Sequence, residues 1–306
     1  MLAEAEYFPY KGAMSMLPRS DKPDMQRRRF GSIPVRVLVP NVITLLALCA
    51  GLSAIRMSIE GRNELALGAI VFAAILDGID GRVARMIKGQ SRFGAELDSL
   101  ADFVNFGVTP ALILYFWQLH EFNNVGWIAA IVFAISSCLR LARFNAMIDT
   151  PSDLPFAGNY FTGVPAPLGA LCVLLPMYLV LIGLPQLPTT IILIFTLTMA
   201  FLMVSRLPVY SGKKLGARVS PEAAVPLVIF AVLFIAMLIS YPWYVLSVGS
   251  VIYLAALPIS WAAFRKQERA FRAQRAGLDT AVANVPEPPF TSPPESDGTD
   301  RPTRLN

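Results

Sequence analysis

Asp77-Gly-Ile-Asp80-Gly-Arg-Val-Ala-Arg85, followed after one short link by Gly94-Ala-Glu-Leu-Asp98-Ser-Leu-Ala-Asp102, places four aspartates at the ends of segments that otherwise read as membrane-spanning. On a helix, Asp77, Asp80, Gly81, Ala84 and Arg85 fall at i, i+3, i+4, i+7 and i+8 and share one face. Gly94, Asp98 and Asp102 step by four and share the face of a second helix. Two acidic pairs on neighbouring helices, with small residues between them, make a pocket for hard divalent cations. Carboxylate oxygens suit Mg²⁺ or Mn²⁺, and four carboxylates can hold two ions. Ionisable groups at membrane depth are costly, which makes these aspartates functional candidates by default. The competing reading is an ion-pair cluster of the same aspartates with Arg82, Arg85 and Arg92, which would leave the registered glycines and alanine without a purpose.

The composition agrees with a membrane chain. Of 306 residues, 55% are hydrophobic and 15% charged, with 24 prolines and a single histidine. The mean hydropathy of +0.55 lies in the range of multi-span membrane proteins. The expected fold is all-α, a polytopic bundle of about eight helices of roughly 20 residues each. A net charge of +5 invites a nucleic-acid reading, but the basic residues fall between apolar runs. They read as topology determinants and anionic-lipid contacts, and no nucleic-acid partner is expected. Cys49, Cys138 and Cys172 lie in apolar segments without C-x-x-C spacing, which argues against a disulfide framework or a zinc site.

Taken in order, residues 1–36 form a polar, basic segment that predicts a cytoplasmic N-terminus and does not resemble a cleaved signal. Spans are expected at about 37–57, 65–87, 93–119, 126–147, 161–182, 188–204, 223–239 and 244–264. Pro110 should kink the third. In the first, Asn41 and Thr44 either satisfy early backbone groups or face the pocket. Arg140 and Arg143, near a helix end, either snorkel to the interface or hold a phosphate or carboxylate. Positive charge on alternate connections, Lys88 to Arg92 among them, sets the acidic site at the cytoplasmic face. Residues 265–306 read as a basic stretch and then, from about Gly277, a disordered tail.

The pattern D-x2-D-G-x2-A-R-x8-G-x3-D-x3-D resembles the signature of the CDP-alcohol phosphatidyltransferases at every fixed position. What the resemblance implies is attack by an alcohol on the β-phosphorus of CDP-diacylglycerol, releasing CMP. Asp77, Asp80 and Asp98 match the family's metal ligands, and Asp102 matches its last aspartate, a metal ligand or the general base. The implied cofactors are two divalent cations, Mg²⁺ or Mn²⁺. Gly81, Ala84 and Gly94 match positions that let the nucleotide approach, Arg85 and Ser91 match contacts to CDP or its phosphates, and Asn41 and Thr44 match a stretch beside the nucleotide. Leu97-Asp-Ser-Leu-Ala-Asp-Phe-Val-Asn-Phe-Gly-Val-Thr-Pro-Ala111, Arg140-Leu-Ala-Arg-Phe-Asn145, Phe161-Thr-Gly-Val-Pro-Ala-Pro167 and Ser205-Arg-Leu-Pro208 look like the phosphatidylserine synthase branch. That branch implies L-serine as acceptor, with Arg140, Arg143, Arg206 and Asn145 as candidates for its carboxylate. The domain would cover 37–264, in a bacterial inner membrane, as a homodimer by family analogy. Rival readings are the same chemistry with glycerol 3-phosphate, inositol phosphate or choline, and a secondary transporter. A transporter would spread its charges over two related halves instead of one helix pair.

Overall fold

Within lipid a single segment can satisfy its own backbone hydrogen bonds only as a helix. The computed structural model describes residues 35–87, 89, 91–147, 160–210 and 221–283, and helices dominate it. Helix α1 (Val35–Ile59) and α2 (Asn63–Met86) form an antiparallel hairpin. Their turn is closed by Gly61 at φ +76°, with the Arg62 N–H reaching back to the Met57 carbonyl at 2.8 Å. Arg56 and Arg62 flank Glu60 there, and the Arg56 hydrogen bond, reinforced by both positive charges, holds that exposed carboxyl below its ordinary range.

The third span is α3 (Arg92–Phe103), a π-helical turn over Val104–Val108, and α4 (Thr109–Trp117). The wide turn sits immediately before Pro110, which cannot donate to the ladder and crowds the preceding turn. The expected kink is therefore taken up as a π-turn. A short 3₁₀ turn, Leu119–Phe122, leads into α5 (Asn123–Met147). Helices α6 (Ala166–Val173) and α7 (Leu175–Leu181) are one apolar segment interrupted before Pro176. Then come α8 (Thr189–Val204), α9 (Pro221–Ser240) and α10 (Pro242–Ala283).

Each of the eight expected spans falls on one of these helical segments. Among the described residues, four are long and apolar enough to cross a membrane, namely Leu38–Ile59, Arg92–Trp117, Leu119–Met147 and Pro242–Ala273. Helices 189–204 and 224–240 are apolar but shorter. Three differences stand out. Helix α1 starts at Val35, so Pro40 lies inside the helix and not at its start. A small ribbon, absent from the sequence reading, pairs β1 (Tyr160–Thr162) antiparallel with β2 (Pro208–Tyr210). Gly163 follows β1 at φ +76°, and a Cβ there would meet the Met203 carbonyl oxygen at 2.7 Å, so only glycine lets the ribbon seat against the end of α8. Lastly, α10 continues to Ala283, so residues 277–283 are helical where a disordered tail was expected. Leu278, Ala281 and Ala283 are compatible with a helix, and extending one already nucleated by the span costs little even across Gly277. The remaining tail, 284–306, the N-terminal segment 1–34, Lys88, Gln90 and the loops 148–159 and 211–220 lie outside the described residues.

The core gathers Leu67, Ile70, Phe106, Ile113, Leu114, Phe133, Tyr178, Ile192 and Met199, all fully buried where α2, α4, α5, α7 and α8 meet. At one end of the bundle Gln118 donates to the Leu187 carbonyl at 2.8 Å and to Thr189, which in turn bonds Glu121. Small residues set the spacing. A Cβ on Gly126 would lie 1.8 Å from the backbone oxygen of Leu119, an atom that cannot swing aside. Gly126→Ala should therefore destabilise the protein by about 1–3 kcal/mol, lowering the apparent Tm in detergent by about 3–10 °C. Gly68→Ala, which meets nothing within 4 Å, should leave Tm unchanged or slightly raised. Equal melting of the two variants would contradict this packing.

Candidate active site

The four aspartates reach one place because α2 and α3 are joined by a short link and presented by the α1–α2 hairpin. Asp77 and Asp80 stand on the last turns of α2, and Asp98 and Asp102 on the second and third turns of α3. One carboxylate oxygen from each of Asp77, Asp98 and Asp102 lies within 4.8 Å of the others, in half-buried surroundings. Asp80 is 3% exposed and stands beside that trio. Its Oδ2 accepts a hydrogen bond from the Thr44 hydroxyl at 2.6 Å, and the same hydroxyl lies 3.1 Å from the Pro40 carbonyl.

Among the described residues, none of the four aspartates forms an ion pair, and Arg82, Arg85 and Arg92 all point to exposed positions. The ion-pair cluster is therefore not what these carboxylates form. Three hard oxygen donors without a paired cationic side chain fit a divalent metal, and the donor set suits Mg²⁺ or Mn²⁺ better than a soft metal.

Next to the trio opens a cavity of about 480 Å³. Its walls are Pro40, Asn41 and Thr44 of α1; Asp80, Gly81, Ala84 and Arg85 of α2; Gly89 and Ser91 of the link; and Arg92, Gly94, Ala95 and Asp98 of α3. Every nucleotide-side residue picked out in the sequence thus lines one cavity. Their parts differ. Gly81 faces open space, with nothing within 4 Å of where a Cβ would stand. At Gly94 a Cβ would come 2.8 Å from Asn41 Oδ1, so this glycine admits the Asn41 side chain. Ser91 caps α3, its Oγ accepting the Gly94 N–H at 2.9 Å. Thr44 is no cap, since α1 began more than two turns earlier; it orients Asp80.

The acceptor candidates do not converge. Arg140 on α5 is 9% exposed, lies within electrostatic reach of Asp102 and Tyr253, rests 5.7 Å from the Phe144 ring, and keeps its Nε without a partner. Arg143 instead donates from Nη1 to the Val204 carbonyl at 2.7 Å, bracing α5 against α8. Asn145 donates to Ser99 Oγ at 3.0 Å on the exposed side, and Arg206 is exposed. The sequence reading missed Tyr253 of α10, whose hydroxyl is buried without a partner. The signal was there: Ser247, Ser250 and Tyr253 recur every three residues in an otherwise apolar span. It also missed Gly51, whose missing Cβ makes room for Asn105 Oδ1, 2.1 Å from where that atom would stand.

Comparison with known proteins gives the same direction. The family model described as CDP-alcohol phosphatidyltransferase matches residues 37–205, and a second, CDP-alcohol phosphatidyltransferase 2, matches 222–258. A CDP-diacylglycerol–serine O-phosphatidyltransferase of Mycobacterium tuberculosis is 50% identical over 133 residues, 44% of this chain and 46% of that protein. The matched stretch is therefore about half the length of that relative. The protein of the same name from Mycobacterium leprae is 37% identical over 254 residues, covering 78% of this chain and 84% of the relative. That of Helicobacter pylori is 35% identical over 229 residues, 73% and 91% respectively. With a family model over more than half its length and relatives matched nearly end to end, this chain belongs to the CDP-alcohol phosphatidyltransferase family.

Proposed function

We propose that the protein transfers the phosphatidyl group of CDP-diacylglycerol to the hydroxyl of L-serine, giving phosphatidylserine and CMP. The observation that carries this reading is the convergence of Asp77, Asp98 and Asp102 beside a cavity walled by the glycines and Arg85 of the same motif. Two divalent cations held by Asp77, Asp80, Asp98 and Asp102 would neutralise the pyrophosphate charge and polarise the reacting phosphorus. Around them the chain's own groups have separate tasks. Gly81 leaves room for the nucleotide, and Arg85 at the cavity wall can pair with a phosphate oxygen. Asp102, one turn beyond Asp98 on α3, accepts the serine hydroxyl proton as that oxygen bonds to the β-phosphorus. The bond to the α-phosphate oxygen breaks in the same event and CMP departs.

Serine is supported over a phosphorylated acceptor by the count of buried cations. Arg140 offers one buried guanidinium next to Asp102, enough for one carboxylate. Arg143 is occupied by Val204, and Arg206 stands exposed, so among the described residues these two do not add a buried guanidinium to a phosphate cluster. The catalytic unit is taken as 37–264. The cytoplasmic face of a bacterial inner membrane is supported by the basic residues clustered at the site's end of the bundle, and a homodimer by family analogy alone.

The deciding assay is CMP release in nanodiscs with each acceptor alone, with Mg²⁺, Mn²⁺ or chelator. Release should need metal and L-serine and fall at least 10³-fold in Asp98→Asn. Release with another alcohol would overturn the acceptor, and metal-independent release would overturn the chemistry. Arg140→Gln should raise the KM for serine about 10–100-fold while the KM for CDP-diacylglycerol stays within about twofold. Equal changes in both constants would remove Arg140 from the acceptor site. Thr44→Val should weaken Mn²⁺ binding, read by the free-ion paramagnetic signal, about 10-fold or more, because Asp80 loses the donor that orients it. Unaltered Mn²⁺ affinity would show that Asp80 is not a ligand.

A further inference from the structure

At about 1.5 Å per residue the 42 residues of α10 extend about 63 Å, twice a hydrocarbon core of about 30 Å. The apolar part, from Pro242 to Phe264, suffices to cross, so the helix leaves the membrane carrying Arg265, Lys266, Arg269, Arg272 and Arg275, all exposed. With 3.6 residues per turn, the four arginines fall within an arc of about 120°. A topology signal needs positive charge near a span's end but not a shared face. These share one.

The stripe begins at the interface. Trp261, a residue type that marks the headgroup level, lies under the Arg265 guanidinium at 4.8 Å. Arg265, Glu268, Arg269 and Arg272 together line a cleft of about 370 Å³. Glu268 is bound by Arg272 at 2.6 Å, so the single acid in the cleft is compensated, and Arg265, Arg269 and Arg272 are exposed.

The bundle also fixes which membrane face this is. Ser260 Oγ donates to the Pro208 carbonyl at 2.8 Å, placing that turn of α10 level with β2, just past the C-terminal end of α8. That end of α8 is braced to the C-terminal end of α5 by Arg143. The C-terminal end of α5 in turn meets α3 through Asn145 and Ser99. The arginines therefore emerge on the same side as the cavity between α1, α2 and α3.

We propose that Arg265, Arg269, Arg272 and Arg275 form a binding surface for anionic phospholipid headgroups on the membrane face that carries the acidic site. Charge complementarity and position at the headgroup level select this occupant: long guanidinium side chains beginning at Trp261 snorkel into a layer whose anionic members are phosphodiesters. The effect is to enrich anionic lipid beside the cavity. Each cation near an anionic surface changes partitioning about fivefold.

The test uses the full chain in nanodiscs of phosphatidylcholine with spin-labelled phosphatidylglycerol or spin-labelled phosphatidylcholine, reading the motionally restricted fraction of each. The wild type should hold phosphatidylglycerol preferentially. The triple variant R265Q/R269Q/R272Q should lose at least half of that preference, and R265K/R269K/R272K, which keeps the charge, should retain most of it. Arg56→Gln/Arg62→Gln, at the opposite end of the bundle, should leave it unchanged. A preference that survives the glutamine variant, or is lost equally with Arg56 and Arg62, would overturn the proposal. So would abolition by millimolar inorganic phosphate, which would mark a general anion cleft. The readout is lipid immobilisation and not turnover, so it stands or falls apart from the transferase reading.

Discussion

Mutual repulsion of carboxylates inside an apolar bundle is the constraint to which the remaining architecture answers. Asp77, Asp98 and Asp102 are brought within 4.8 Å of one another with no ion pair among the described residues to relieve them. At that separation, in surroundings far less polarisable than water, like charges cannot be gathered by chance packing. Something has to hold the backbones in place, and in the proposed reaction a cation would supply the missing charge. The α1–α2 hairpin does the holding. Its tight turn at Gly61 fixes one end, Thr44 ties α1 to Asp80 near the other, and Gly94 lets Asn41 press α3 against α1.

The parts legible in the sequence were those governed by hydropathy and by invariant spacing within a helix. Apolar runs predicted where helices lie, and steps of three and four correctly put the aspartates on facing surfaces. The parts that stayed hidden depend on contacts between segments distant in sequence. Nothing local to Arg143 announces that it will donate to Val204, and nothing local to Arg206 announces that it will stay exposed while Arg140 is buried. Thr44 reads as a cap only near the start of α1; with the helix beginning at Val35 it lies more than two turns in, where it bonds Asp80. The ribbon is a similar case. Three-residue strands bearing proline carry no periodicity, and their pairing follows from where α8 ends and where Gly163 turns.

Because lipid is as apolar as leucine, burial does not drive helices together in a membrane, and close approach must do so instead. The glycines show it. Gly51 meets the Asn105 side chain and Gly107 meets Ser137 closely enough that a methyl group would force these neighbours to shift, and Gly126 meets the Leu119 carbonyl, which cannot. These contacts tie α1 to the π-turn, the π-turn to α5, and α5 to the 3₁₀ turn before it, along the length of the bundle. Helix α9 contrasts with this: Leu227, Val228, Ile229, Phe230 and Val232 are all more than half exposed, and no glycine lies along it.

The proposed lipid substrate would make two demands on the site. A diacyl chain has to slide in from the bilayer, whereas the phosphorus must be met by groups held to within fractions of an ångström. A cavity whose walls are α1, α2 and α3 answers the second demand, its polar wall braced by Thr44 and Asn41. The arginines of α10 emerge on the same side of the bundle as that cavity. An acidic floor alone would repel an anionic substrate. A nearby basic stripe offsets that repulsion outside the site, where screening is moderate, without pairing with the carboxylates themselves. The two charge clusters can therefore coexist only because the fold keeps them on one face and on different helices.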